Sequence, residues 1–130
     1  MGCWGVGSFE NDDAMDFLYE VEEQGLEAIG NTISLHLEEG ESSEVGESFI
    51  AAAEIVAAVS GHDSKDLPDE AASLIENFSP DDVAQWVDPC LEGLHILLRP
   101  SSEMHALWAE TESLKKWEKA VHDLIERLQN

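Results

Sequence analysis

One carboxylate, Glu54, stands inside the segment Ser48-Phe49-Ile50-Ala51-Ala52-Ala53-Glu54-Ile55-Val56-Ala57-Ala58-Val59, whose other side chains are small or apolar. An isolated charge in such surroundings is prohibitively costly, so Glu54 must be neutralised, paired or hydrogen-bonded. Arg99 is the expected partner. It is the only base between Lys65 and Lys115, and its planar fork satisfies both oxygens of a carboxylate. Backbone amides of the N-terminal arm and the Trp4 indole form a second source of donors. A buried clamp of this kind fixes helix register. The other chemistry open to Glu54 is acid–base or metal-binding work.

A second cluster is Asn11-Asp12-Asp13-x-x-Asp16. Its structural reading is a helix start: Asn11 or Asp13 accepts from the free amides of the first turn, and the carboxylates complement the helix dipole. Its chemical reading is a hard-cation site, because neighbouring carboxylates hold Ca²⁺ or Mg²⁺. The spacing is not that of an EF-hand loop, and capping is the better account. The five histidines (His36, His62, His95, His105, His122) form neither His-x-x-x-His nor His-Glu-x-x-His, so they read as scattered surface residues rather than zinc ligands. Cys90 reads as inert packing on an apolar helix face. Cys3, among acidic neighbours, has nothing to lower its pKa. No nucleophile motif or phosphate-cradling loop occurs, and no residue is assigned a catalytic role, a metal or a cofactor.

The elements that must position these groups are helical throughout. Residues 1–11 read as an ordered Gly/Trp arm whose Trp4 and Phe9 seek burial. Ala14, Phe17, Leu18 and Val21 recur at helical spacing, with Gly25 as a stop. Leu26–Leu37 keeps a rough helical spacing that Gly30-Asn31 interrupts. Residues 38–47 are polar, acidic and glycine-containing, and read as a mobile loop. The alanine-rich segment around Glu54, apolar almost all round, predicts a central buried helix. A short helix over Asp69–Asn77 follows. Ser79-Pro80-Asp81-Asp82 starts a helix over roughly 80–98, with Pro89 imposing a break near Val87–Asp88. After Pro100, Ser101 or Ser102 caps an amphipathic stretch carrying Met104, Leu107, Trp108, Leu114, Trp117, Val121, Leu124 and Leu128, with any break near Thr111–Ser113. The tryptophans read as core, Trp117 being the one expected to be half exposed. No strand pattern appears. The expected fold is a compact all-α single-domain bundle of five to six helices over residues 1–130.

Charge is the bulk property that narrows function. Twenty-nine acids stand against six bases, for a net charge of −23. The distribution is uneven: no Lys or Arg precedes Lys65, whereas from Arg99 onward five bases face six acids. Such a chain is steered away from nucleic acid and anionic membranes; its acidity either serves only to keep it soluble or steers it toward a basic protein partner. No run is apolar enough to span a membrane, the N-terminus lacks the features of a signal peptide, and two cysteines make no disulfide framework. The expected location is the cytoplasm. Oligomeric state is left open.

Three segments resemble a family of bacterial proteins known as the domain of unknown function DUF4259. Trp4-Gly5-Val6-Gly7-Ser8-Phe9-Glu10-Asn11-Asp12-Asp13-Ala14-Met15-Asp16-Phe17 is similar to its WGxGxFxNDxAxDF opening, and Ala51-Ala52-Ala53-Glu54-Ile55-Val56-Ala57-Ala58 to its AAAEvvAA helix. Ser102-Glu103-Met104-His105-Ala106-Leu107-Trp108-Ala109-Glu110 is similar to its SELxxLWxE segment, and Trp117, Arg127 and Leu128 agree with it. Cys3 departs from the pattern. The resemblance implies one helical domain in the bacterial cytoplasm and brings no activity. It adds Glu103 and Trp108 to the binding or clamp candidates, beside Trp4, Asn11, Asp12, Asp13, Asp16, Glu54 and Arg99. The expected function is a non-enzymatic acidic interaction domain that binds a basic partner protein, inhibition of that partner being one form the binding can take. The alternative is a metal-assisted or acid–base enzyme using Glu54 with Asp12, Asp13 and Asp16.

Overall fold

The structure, a computed structural model, describes residues 7–62 and 67–129. Trp4 and Cys3, and with them the clamp role considered for Trp4, lie outside the described residues. The end of the arm is held by a tight turn in which the Glu10 amide donates to the Gly7 carbonyl (3.1 Å), and Phe9 enters the core.

Helix α1 (Asp12–Gln24) starts where the sequence places it. The Asn11 side chain accepts from the Ala14 amide at 2.7 Å. Gly25, at φ +64°, turns the chain directly into α2 (Leu26–Glu39). Gly30 does not interrupt α2. A methyl there would sit 3.0 Å from Cζ2 of Trp86, so glycine is the residue that lets the indole lie against the helix. The expected mobile loop over 38–47 is a short ordered link instead: α2 continues to Glu39, a 3₁₀ turn spans Gly40–Ser42, and Ser43 is buried.

Helix α3 (Gly46–Val59) is the axis of the molecule. Every residue from Phe49 to Val59 is buried, as an all-round apolar helix requires. Ala51, Ala52, Ala53 and Ala57 have no exposed surface, and these small side chains let α1, α2 and two later helices pack closely against α3. Helix α4 (Asp69–Ile75) closes one side.

The stretch 80–98 is divided near the expected place. A single turn, α5 (Pro80–Val83), carries a capping box between Ser79 and Asp82; a 3₁₀ turn at Ala84–Trp86 follows, and α6 runs from Val87 to Leu98. Pro89 lies in the first turn of α6, where its missing N–H has no acceptor to serve. Ser102 caps α7 (Glu103–Ala109), accepting from the His105 amide at 3.1 Å. Thr111 and Ser113 separate it from α8 (Leu114–Gln129), whose Trp117, Val121, Leu124, Ile125 and Leu128 face the core. Among the described residues there are thus seven α-helices of seven residues or more, plus the turn at Pro80–Val83, and no strand. The count exceeds five to six because the breaks divide stretches that one hydrophobic period runs through. Trp117 is 2% exposed rather than half exposed, stacked on Trp108 with centroids 6.3 Å apart. No helix of the described residues is long and apolar enough to cross a membrane.

Candidate functional site

Glu54 is 3% exposed on α3, as its apolar neighbours demand, but its partner is not Arg99. Arg99 ends α6 in an extended conformation with an exposed side chain, just before the Pro100 turn. The partner is Arg127, on the face of α8 that packs against α3, with Nη1 2.7 Å from Glu54 Oε1. Arg127 Nε also donates to Asp123 Oδ2 at 2.9 Å, one helical turn back. Arg127 Nη1, which carries two hydrogens, also donates to the His62 carbonyl at 3.3 Å, so one guanidinium ties α8 both to Glu54 and to the chain just after α3.

Burial pushes the Glu54 carboxyl above the usual carboxylate range, and Arg127 and the Ser8 hydroxyl only partly oppose it. Burial alone would lower the Arg127 pKa, but contact with Glu54 and then Asp123 raises it. The cluster opens on a cleft of about 520 Å³ whose walls include Ser8, Phe9, Glu10, Glu54, Pro68, Asp123 and Arg127. Among the described residues of its lining, three carboxylic side chains, Glu10, Glu54 and Asp123, stand against one guanidinium. Among the described residues, it offers one carboxyl with a raised pKa and, beside it, the Ser8 hydroxyl.

The acidic candidates lie elsewhere. Asp12, Asp13 and Asp16 are all exposed on α1, and none lines the Glu54 cleft. Among the described residues no group of three or more His, Cys, Asp or Glu could hold a metal. Asp13 and Glu103 both line a hollow of about 320 Å³, whose walls also include Glu44, Glu47, Met104 and Leu107. Desolvation, followed by the Asp13 carboxylate and then Asp12, pushes the Glu47 pKa up. Trp108 is buried against Trp117 and belongs to the core.

The residue that sequence reading misjudged is His36. It is fully buried, not on the surface: its Nε2 donates to the Gly93 carbonyl at 3.0 Å, its ring stacks on Phe49 with centroids 4.1 Å apart, and Nδ1 has no hydrogen-bond partner among the described residues. The one available signal was Gly93, a lone glycine in an apolar helical run, which marks a close packing contact. Desolvation lowers the His36 pKa, outweighing the Gly93 carbonyl and Glu39, which raise it. The unfolded chain therefore binds the extra proton more readily than the folded one. Stability is fully retained above the ordinary value of 6.5 and falls as pH drops from there toward the lowered folded value. Urea denaturation should show this loss in the parent and its absence in His36→Gln. An identical slope in the two would show that other groups carry the dependence. Cys90 is fully buried and its thiol is pushed up to about 12, which makes it inert.

Residues 2–120 match the family model described as Domain of unknown function (DUF4259). No match is found among curated proteins or among solved structures.

Proposed function

The chain belongs to the DUF4259 family, and from that premise we propose that it is a non-enzymatic interaction domain of the bacterial cytoplasm that binds a basic partner protein and inhibits it by covering its basic surface. The observation that carries this reading is the separation of charge. From Gly7 to His62 the chain has no Lys or Arg, while Asp12, Asp13, Asp16, Glu20, Glu22 and Glu23 are exposed along α1. Arg127 is committed to Glu54, and Lys115, Lys116 and Lys119 belong to α8. A partner of opposite charge would be drawn to the lysine-free face, with an association rate that falls as salt screens the field. Pull-down from the source lysate tests this. Basic proteins should be retained at low salt and released at high salt; retention of proteins without excess positive charge, or indifference to salt, would overturn it.

A second reading, an acid–base enzyme, has one observation in its favour: the raised pKa of Glu54 at the wall of a cleft. It loses the help of Asp12, Asp13 and Asp16, which line a different part of the surface. A melting shift on adding Mg²⁺ or Ca²⁺, abolished in Glu54→Gln, would move the weight to it.

A further inference from the structure

Helices α1 and α4 lie side by side and leave between them a groove of about 340 Å³, lined by Met15, Leu18, Tyr19 and Glu22 from one, by Glu70, Ser73 and Leu74 from the other, and by Asn77 just beyond it. The α1 residues follow the i, i+3, i+4, i+7 spacing of one helix face, and Glu70, Ser73 and Leu74 the i, i+3, i+4 spacing of another. Tyr19 is 63% exposed, although Ala14, Phe17, Leu18 and Val21 of the same helix are buried. The floor is therefore apolar and the two rims are acidic, with Asp16, Glu20 and Glu23 exposed beside them. We infer that this groove receives an apolar anchor residue from an amphipathic basic helix of a partner protein, with Lys or Arg side chains flanking the anchor and meeting Glu22 and Glu70.

The inference rests on the reading of the chain as a binder of basic proteins and gives that reading a place and a mode. Charge decides the occupant. A second copy of this chain would bring the same carboxylates against Glu22 and Glu70, with no cation on α1 to answer them. A purely basic, unstructured segment would satisfy the rims but leave the apolar floor and Tyr19 in water. An amphipathic helix satisfies both, because side chains three and four residues apart present an apolar anchor and its flanking cations on one face. Ser73 and Asn77 supply polar contacts at the groove edge.

The test uses two synthetic peptides of one length and one lysine pattern: an amphipathic helix with leucine anchors, and its counterpart with serine at those positions. Binding is read by fluorescence anisotropy at physiological salt. The leucine peptide should bind about tenfold more tightly than the serine peptide, the effect of one well-buried apolar side chain. Tyr19→Ser, at an exposed position whose folding a thermal melt confirms, should remove most of that advantage, while Glu38→Gln on α2 should leave it intact. Equal binding of the two peptides, or a leucine advantage that survives Tyr19→Ser, overturns the groove while leaving charge-driven docking in place. Failure of both peptides to bind overturns the groove and the interaction reading together.

Discussion

Gly93→Ala will destabilise the protein by about 3 kcal/mol or more, one of the largest effects available to a single methyl group. The added Cβ would overlap the end of the Phe49 ring and stand 2.8 Å from His36 Cδ2 and 2.9 Å from Phe49 Cε1. Neither ring has room to move. Phe49 and His36 are fully buried, they stack on each other, and the His36 Nε2 is anchored to the carbonyl of Gly93 itself. The substitution gains alanine's better helix propensity, which is worth only about 1 kcal/mol. Chemical denaturation of the variant measures the difference. A stability at or above the parent's would mean that α6 does not approach α2 and α3 as closely as the structure has it.

Arg127→Met is the second large effect, with an expected loss of about 3 kcal/mol. That is the lower end of the cost of removing one partner from a buried pair, because the Arg127 side chain retains 17% of its exposure. The loss comes from the carboxylate left behind more than from the attraction removed. Glu54 would remain buried with Ser8 as its remaining donor, and protonation would become its cheapest state. Glu54→Gln should cost less, several degrees of melting temperature, because a neutral amide carries no orphaned charge. In the double variant Glu54→Gln with Arg127→Met, most of the arginine penalty should disappear. Additive losses would mean the two side chains are not coupled, and the clamp assignment would fail.

The pH dependence of the Glu54 clamp runs opposite to that of His36. A carboxyl whose folded pKa is raised above 4.5 favours folding while protonated and loses that contribution as pH rises through the folded value. His36 loses its contribution as pH falls below 6.5. The two therefore work against each other in the acid range, and only the single variants separate them.

Much of the fold is written locally. Asn11 caps α1, Ser79 and Asp82 box the start of α5, and Thr111–Ser113 part α7 from α8, because caps and breaks are contests between neighbouring backbone groups and short side chains. The burial of α3 follows from its lack of any polar face, and the need for a partner to Glu54 follows from that burial. Which base answers Glu54 could not be read the same way. Arg99 and Arg127 are equally good chemistry, and the choice rests on α8, not the end of α6, being packed beside that face of α3. The same holds for the residues whose environment comes from distant segments: Gly30 receives Trp86, Gly93 receives Phe49 and His36, and Trp117 is sealed by Trp108. The sequence alone determined an acidic, all-helical chain with a buried middle helix carrying a carboxylate that must be paired. The tertiary structure alone decided the partner, the buried histidine and the groove between α1 and α4, because close packing between helices distant in sequence depends on their relative placement, which no local pattern encodes.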